Sequence, residues 1–478
     1  MSRHPVTMTP PVEPERAAFP GLPPMQSPSR RSGPPNNVQP YLSVVATARN
    51  DDHGGNPLYR MQLFVNGLIA QCDRYELPAE LVLVEWNPPA DRPRLADVLE
   101  WPDSDGWCDV RIVEVPHEVH SRLEHSDRLP LFQMIGKNVG IRRARGEFVV
   151  ATNIDIIFSD ELMRFLARRE LQPDRVYRVD RVDVPAEIDP AWSMDEQLAF
   201  CRTEVIRVNY YDSTVDLQTG DRYRIYNDVP LVLRLLPAFL QVRMHVPRYM
   251  LWRIYAFFYW IWCGLKEPRL APARIEKRLR RIVAAGLLGL TPTAADNVPV
   301  PASRAFLALP RGISRLARAF VRDLRERGRE FARAMEWEKS RIRLHTNASG
   351  DFTLMSKEAW LRSQGYAELE MYSMHIDGLQ LYRAHYCGIR ERRLRHPIYH
   401  IEHGGGSKPG SRDLDERLER DAIPQISNEQ LMNWIYDMYT TKQPIAFNRP
   451  DWGFAAETLP ETMPLGAERI AQTQTEVA

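Results

Sequence analysis

The sequence has few cysteines, and their arrangement excludes two kinds of stabilised fold. All five are widely separated, their number is odd, and none forms a close CxxC pair. A disulfide framework needs an even set of cysteines, and a zinc site needs close pairs of thiols. We therefore expect free thiols in a reducing compartment. The cysteines are Cys72, Cys108, Cys201, Cys263 and Cys387.

The first 40 residues lack both a secretory signal and a periodic apolar pattern. No run of seven apolar side chains occurs there, so the segment has no core for secretory targeting. It is rich in proline instead, and such a stretch buries too little surface to offset the entropy of ordering. We expect residues 1–40 to be a disordered tail and the protein to be cytoplasmic.

Neither sign of charge dominates the chain as a whole. The 478 residues carry 63 Lys and Arg against 62 Asp and Glu, and 44% of them are hydrophobic. This composition excludes a wholly disordered or collagen-like chain, and the length suggests two or three domains of roughly 150 residues each. The charge is unevenly placed, however, because residues 241–342 hold 21 basic and 8 acidic side chains. We expect that stretch to face an anionic surface.

The basic stretch also contains a dense aromatic segment. Residues 249–265 include eight Tyr, Trp and Phe side chains, with Arg253 among them. Tryptophan and tyrosine prefer the membrane interface, and the basic helical patterns at 273–290 and 313–335 are typical of helices that lie on an anionic leaflet. We expect a helical insertion at 186–342 that binds the membrane surface. An ordinary packed subdomain and a true membrane span remain as alternatives.

Strand and helix patterns alternate before this insertion. Short apolar runs at 41–48, 80–86 and 108–116 predict buried strands, and the run at 147–159 predicts another. Segments with helical spacing of apolar residues separate and follow them, and the α/β character returns from Leu344. The alternation predicts an α/β layer with a mostly parallel sheet. Ligands of such sheets bind at the carboxyl ends of the strands.

Two polar side chains occur near the end of the run at 147–159. Asn153 and Asp155 are two residues apart, so a continuous strand would present both on one face. A carboxylate at the carboxyl end of a strand suits a divalent cation that also binds a diphosphate. Asn and Asp are equally common at strand ends for reasons of turn geometry, which leaves a purely structural role open.

Four other residues offer groups of the same kind. Glu85 ends a predicted strand, where a carboxylate can accept hydrogen bonds from a base or a ribose. His400 and His403 precede three glycines, and imidazoles are common metal ligands. Asp377 is an acid that could take the proton of an alcohol as the alcohol attacks an electrophile. Each also has an ordinary structural interpretation, because charged strand ends and polar loops are frequent in globular proteins.

The order of these features resembles the GT-A glycosyltransferases, in particular the inverting family 2 enzymes. Those begin with a strand and a polar turn (here SVVATARNDD), a strand ending in an acid (LVLVEW), and a helix with a basic residue and asparagine (GKN) before the DXD strand (GEFVVATNID). Their later half has a GDF-like turn, a Gly-Tyr loop and an acidic base motif, matched at 350–352, 365–368 and 375–377. The likeness spans 41–183 and 344–406.

The resemblance implies a GT-A type, Rossmann-like α/β sheet that binds a nucleotide-diphospho-sugar. The nucleotide-sugar-binding half would be 41–185 and the acceptor half 343–458. The helical, basic, aromatic-rich insertion would separate the two halves, and 459–478 would be a flexible tail.

The resemblance also implies roles for individual residues. Asp155, with His400 or His403, would hold Mg²⁺ or Mn²⁺ on the diphosphate, and Asp377 would be the catalytic base. Two positions depart from the family pattern, because Asn153 replaces the first acid of DXD and the base motif keeps one carboxylate. The residues implied for nucleotide-sugar binding are Thr47, Arg49, Glu85, Lys137, Asn138, Asn153, Gly350 and Asp351.

The resemblance therefore implies a metal-dependent inverting glycosyltransferase. It would act on a glycan or lipid-linked acceptor while bound peripherally to the inner, anionic face of the membrane. A non-catalytic membrane-associated scaffold with a degenerate GT-A fold is the alternative. A nucleotidyltransferase is disfavoured because the first turn, ATARNDD, lacks a glycine-rich basic loop. No nucleic-acid partner is expected, since the arginines of the insertion alternate with apolar helical positions.

Overall fold

The computed structural model describes residues 39–51, 55–225, 342–403 and 422–464. Almost all of the predicted N-terminal tail, most of the predicted insertion and the glycines after His403 lie outside these described residues. Within them, no helix is long and apolar enough to cross a membrane.

The strands and helices are numbered here in chain order. The strands are β1 Leu42–Ala48, β2 Ala79–Trp86, β3 Cys108–Val115, β4 Phe148–Thr152, β5 Ile156–Phe158, β6 Arg175–Arg178, β7 Arg181–Val184, β8 Arg207–Asn209, β9 Ser213–Asp216, β10 Arg222–Arg224, β11 Phe352–Ser356, β12 Arg390–Arg393, β13 Ile398–Ile401 and β14 Glu461–Thr462. The helices are α1 Pro57–Tyr75, α2 Leu95–Val98, α3 His117–His120, α4 Gln133–Arg143, α5 Asp160–Ala167, α6 Met194–Thr203, α7 Lys357–Ser363, α8 Ile376–Tyr386 and α9 Asn428–Thr441.

The larger sheet has a parallel centre, as the alternating pattern predicts. Its order is β12-β6-β11-β4-β1-β2-β3-β14, and β4, β1, β2 and β3 run parallel to one another. Every residue of β1 and β2 is buried, which is the pattern of strands covered on both faces. Strand β11 then enters antiparallel between β4 and β6. The prediction of an α/β fold is confirmed, with the sheet mixed rather than wholly parallel.

Helix α4 lies directly on β1 because two glycines allow the close approach. A Cβ atom on Gly136 would lie 2.5 Å from the Thr47 side chain, and one on Gly140 would lie 2.4 Å from that of Val45. Both distances are far below normal contact, so larger side chains would push the helix away from the sheet. This packing fixes where α4 begins, next to the carboxyl end of β1.

The smaller sheet, ordered β10-β9-β8-β7-β13-β5, brings distant parts of the chain together. Strand β13 pairs with β5 on one side and with β7 on the other. In this register His400 lies opposite Ile156 and opposite Asp183. The pairing therefore places the histidine strand beside the turn that follows β4.

The run at 147–159 is not one strand, as predicted, but two strands in different sheets. Strand β4 ends at Thr152, a turn occupies 153–155, and β5 belongs to the smaller sheet. The polar residues of the turn break the ladder, which lets the chain pass from one sheet to the other. The predicted helix that follows is confirmed, with Ser159 as N-cap, its side chain accepting the N–H of Leu162.

Two predicted boundaries also differ from the structure. Residues 207–224 form β8, β9 and β10, which extend the smaller sheet from β7, so this part of the predicted helical insertion belongs to the α/β body. At the other end, Glu461 and Thr462 pair with β3, and the Glu461 carboxylate is 2.9 Å from the Arg111 guanidinium. The predicted tail is thus anchored where it begins.

Candidate functional site

A cavity of about 480 Å³ lies at the carboxyl ends of the parallel strands. Small-molecule sites typically enclose roughly 300–1,000 Å³. The end of β1, the turn after β4, the start of α4, and residues in or beside β7, β8 and β13 contribute to its walls. Charged side chains of both signs line it, namely Arg49, Arg60, Arg128, Arg181, Arg207, Asp51, Asp155, Asp351 and Glu402.

Asp155, His400 and His403 meet on the wall of this cavity. Asp155 lies in the turn after β4, His400 lies in β13, and His403 follows two residues after that strand ends. Asp155 Oδ2 is 3.2 Å from His403 Nε2 and 3.6 Å from His400 Nε2. The backbone N–H of Ile401 donates to the Asp155 carbonyl at 3.0 Å, which ties the turn to β13. The structure therefore brings together the three predicted metal ligands.

The geometry and chemistry of these three residues fit a metal ion. Ligand atoms that share one ion at about 2.1 Å lie about 3.0–3.4 Å from each other, close to the distances above. Asp155 Oδ1 and His403 Nδ1 are buried and make no hydrogen bond to any described residue. Carboxylate oxygens and imidazole nitrogens both coordinate divalent cations. Asp155, His400 and His403 could thus hold a metal.

The pKa values of Asp155 and His400 reflect the pairing of carboxylates with imidazoles. Burial by itself raises the pKa of Asp155, but the two imidazoles outweigh it and hold that pKa well below its usual range. Burial and Arg181 lower the pKa of His400, whereas Asp155 and Asp183 raise it more strongly, to about 9. The carboxylates favour a cation between them, and metal binding requires the imidazole to give up its proton.

Asn153 and Asp155 both line the cavity, but their side chains do not point to the same ligand position. Its Oδ1 accepts hydrogen bonds from Lys137 Nζ at 2.7 Å and from Gln133 Nε2 at 2.9 Å, and its Nδ2 donates to Asp351 Oδ1 at 2.6 Å. The expectation of a shared face rested on a continuous strand, and the turn at 153–155 removes that geometry. Asn153 instead holds Asp351 at the cavity wall.

Lys137 lies behind the wall rather than on it. Its ammonium also donates to the Gly350 carbonyl at 2.6 Å, and the side chain is completely buried. Burial lowers the pKa of Lys137 to about 8 against the opposing effect of Asp351, Asp377 and Asp155. The residue connects the turn after β4 to the turn before β11, so it supports the site without lining the cavity.

Asp377 is part of the same network. The carboxylate lies in the first turn of α8, where Oδ2 accepts the N–H of Gly350 at 2.6 Å and the hydroxyl of Ser349 at 2.8 Å. Asp377 and Gly350 are not among the residues that line the cavity, whereas the neighbouring Asp351 is. Lys137 interacts electrostatically with both Asp377 and Asp155, so the predicted base and the predicted metal ligand belong to one region.

Thr47 and Arg49 line the cavity at the end of β1. Arg49 Nε donates to the Asn87 carbonyl at 2.8 Å, and its Nη1 is 2.9 Å from Asp51 Oδ2. These contacts hold the guanidinium between the ends of β1 and β2. Both predicted residues are therefore placed where a ligand could reach them.

Glu85 and Asn138 do not line the cavity. Glu85 is only 1% exposed, its Oε1 accepts the N–H of Leu95 at 3.0 Å, and burial raises its pKa to about 7. Asn138 makes two hydrogen bonds with the backbone of Tyr366, donating at 2.9 Å and accepting at 2.8 Å. These contacts supply hydrogen-bond partners for Glu85 and Asn138 within the protein, so neither side chain needs a ligand to explain its position.

The sequence interpretation missed four arginines of the cavity, Arg60, Arg128, Arg181 and Arg207. Arg181 Nη1 is 2.6 Å from Asp351 Oδ2, and Arg207 Nη2 is 2.6 Å from Glu402 Oε2, while Arg60 interacts electrostatically with Asp155. The alternation in RVDV at 181–184 did indicate a polar strand face. Only the pairing of the smaller sheet reveals that this face meets the histidines.

The chain matches no protein-family model and no curated protein sequence. The assignment of a function therefore depends on the geometry of the cavity and on the chemistry of its residues.

Proposed function

We propose that the protein is a metal-dependent inverting glycosyltransferase with a GT-A type sheet, using a nucleotide-diphospho-sugar as donor. The observation that carries the proposal is the meeting of Asp155, His400 and His403 in an arginine-lined cavity at the carboxyl ends of parallel strands. A site with both metal ligands and guanidinium groups suits a diphosphate, since both neutralise its charge.

In this proposal, different residues of the cavity contact different parts of the donor. Thr47 and Arg49 contact the nucleoside, and Arg60 lies toward the diphosphate. Arg181 and Arg207, which are ion-paired with carboxylates, border the same part of the cavity. Mg²⁺ or Mn²⁺, when bound by Asp155 with the histidines, would stabilise the charge that develops on the departing diphosphate. Two imidazoles beside a single carboxylate favour Mn²⁺ over Mg²⁺, because magnesium prefers oxygen ligands.

Transfer would proceed by a single displacement. The acceptor hydroxyl attacks the anomeric carbon, its proton passes to Asp377, which lies outside the donor cavity beside Gly350, and the bond to the nucleoside diphosphate breaks. Because Asp377 Oδ2 already accepts two hydrogen bonds, the other carboxylate oxygen would take the proton. Asp351 is held by Arg181 and Asn153 and would keep the wall of the cavity in place.

The proposed acceptor is a glycan or a lipid-linked sugar at the cytoplasmic face of a membrane. The basic and aromatic composition of residues 241–342 supports this part, because such sequences bind anionic leaflets. A peripheral enzyme would thereby stay where its acceptor is.

Thermal unfolding with a panel of nucleotide-diphospho-sugars, with and without Mn²⁺, tests the donor part of the proposal. One donor should raise the unfolding temperature only when Mn²⁺ is present, because a ligand at 100 times its Kd stabilises the native state by about 2.7 kcal/mol. The Asp155→Ala variant should lose this metal-dependent stabilisation.

Asp109→Ala provides the matched control, since Asp109 is an exposed carboxylate on β3 that does not line the cavity. It should keep the full response to donor and metal. Equal responses of Asp155→Ala and wild type would contradict the proposed metal centre. Donor binding without release of nucleoside diphosphate, with any acceptor tried, would favour the non-catalytic scaffold instead.

A further inference from the structure

A completely buried carboxylate, Asp183, lies behind the histidines of the site. It lies in β7, directly opposite His400 in the register of β7 with β13, and none of its surface is exposed. His400 Nδ1 is 3.2 Å from Asp183 Oδ1, while Nε2 of the same ring is 3.6 Å from Asp155 Oδ2. One imidazole ring thus lies between two carboxylates, one on each side.

Three donors hold Asp183 in place. All three bond to Asp183 Oδ2, Arg207 Nε at 2.6 Å, Asn209 Nδ2 at 3.1 Å and Arg181 Nη2 at 3.3 Å. All three groups only donate, so the carboxylate remains an acceptor toward the ring of His400. His400 Nδ1 and Asp183 Oδ1 are both buried, and neither makes an aligned hydrogen bond to any described residue, so the nearest acceptor for the Nδ1–H is the carboxylate oxygen 3.2 Å away. The carboxylate is therefore close enough to accept the Nδ1–H of His400 once the ring is aligned with it.

A metal ion would be bound on the Asp155 side of the ring rather than on the Asp183 side. Asp183, His400 and Glu402 also lie close enough together to suggest ligands. However, the guanidinium of Arg207 contacts both Asp183 and Glu402 at 2.6 Å. Arg181 also lies 2.8 Å from Asp183, so two positive charges already face these two carboxylates and would repel a cation placed there. Within the described residues, the ion-pair partners of Asp155 are the two histidines, and Arg60 adds only an electrostatic interaction.

We propose that Asp183 is a positioning residue that fixes His400 as a metal ligand. By accepting the Nδ1–H, its carboxylate leaves the lone pair of Nε2 directed toward Asp155 and the ion. Carboxylates behind ligating histidines commonly set the tautomer and the orientation of the ring. The inference rests on the proposed metal centre and therefore on the proposed function.

The Asp183→Asn variant tests the proposal with Mn²⁺ alone as the probe. The donors from Arg207 and Asn209 would retain the amide oxygen, so the amide NH₂ would face His400 Nδ1 and favour the wrong tautomer. The Kd for Mn²⁺, measured from the EPR signal of the free ion, should rise about 10–100-fold. Pulsed EPR of the bound ion should show nitrogen couplings from two imidazoles in the wild type and from one in the variant.

Glu80→Gln is the matched control, because Glu80 is also a buried carboxylate paired with an arginine, 3.0 Å from Arg111. It should leave the Kd for Mn²⁺ unchanged. If Asp183→Asn does not fold, Asn209→Ser removes one hydrogen bond to Asp183 without touching His400. It should then weaken Mn²⁺ binding about fivefold.

The outcomes separate this inference from the proposed function. An unchanged Kd with two imidazole couplings in Asp183→Asn, or an unchanged Kd in Asn209→Ser, would overturn the positioning role and leave the metal centre in place. A wild-type protein that binds no Mn²⁺ would overturn both. Mn²⁺ binding that weakens as expected, in a protein that transfers no sugar, would support the role of Asp183 and contradict the glycosyltransferase.

Discussion

Replacing Lys137 by methionine tests whether the charge of the buried ammonium behind the cavity lowers the free energy of unfolding. Burial lowers the pKa of Lys137 from 10.5 to about 8, which corresponds to about 3 kcal/mol of free energy. Two acceptors offset part of this cost, the Asn153 amide oxygen at 2.7 Å and the Gly350 carbonyl at 2.6 Å. Methionine keeps the volume of the side chain but removes both the charge and these two hydrogen bonds.

The pH dependence isolates the charge from the other effects of the substitution. Below the native pKa of about 8 both states bind the proton, so the whole cost of the charge is present. As pH rises from 8 toward 10.5, the native state releases the proton while the unfolded chain keeps it, and the native state gains stability. Wild type should therefore gain about 2.5 kcal/mol relative to Lys137→Met between about pH 7 and about pH 10.

Urea unfolding followed by tryptophan fluorescence at each pH measures this difference. Lys357→Met is a useful comparison, because burial lowers its pKa to about 8 as well, while its Nζ donates to carbonyls at the end of α4, away from the cavity. The stability of wild type relative to Lys357→Met should also rise with pH, but this variant should bind Mn²⁺ as wild type does. Lys137→Met should weaken Mn²⁺ binding. A stability difference between wild type and Lys137→Met that stays constant within about 0.5 kcal/mol across this range would refute the reasoning.

Two further substitutions probe predicted site residues. Because burial raises the pKa of Glu85 from 4.5 to about 7, the native state binds a proton that the unfolded chain has released, so wild-type stability should fall as pH rises through that interval. Glu85→Gln should remove most of this fall in urea unfolding and leave donor-dependent thermal shifts unchanged; a loss of the donor shift would instead support contact with the nucleoside. Asp377→Asn should lower sugar transfer by about 100-fold or more, measured as nucleoside diphosphate released, while calorimetry still detects donor binding. Full transfer in that variant would assign Asp377 to positioning Gly350 alone.

The strands and helices that depend on local pattern were predictable from the sequence. Strands β1, β2 and β3 are short apolar runs bounded by polar turns, and they occur where the pattern places them. Ser159 was recognisable as a cap because serine before an acidic first turn satisfies free N–H groups. Strands β1 and β2 are buried on both faces, so their sequences are almost continuously apolar, as is usual at the centre of a parallel sheet.

Features that depend on pairing between distant segments were not predictable. The run at 147–159 looks continuous because both of its halves are apolar, yet the halves enter different sheets. Residues 207–224 have no strong apolar run, and only their hydrogen bonds with β7 and with each other make them strands. Strand β11 follows a long insertion, so nothing local indicates that it enters between β4 and β6.

The sequence by itself marked Asp155, His400 and His403 as separate candidates for metal ligands, because carboxylates and imidazoles are recognisable wherever they occur, and only the family resemblance implied a common site. The tertiary structure decided which of the candidate groups meet. Pairing of β13 with β5 and β7 placed His400 beside both Asp155 and Asp183, and packing of α4 directed Lys137 behind the wall and Asn138 to another loop. The physical reason is that a side chain's neighbours across a sheet are set by strand order and register, and both result from packing of the whole chain rather than from local sequence.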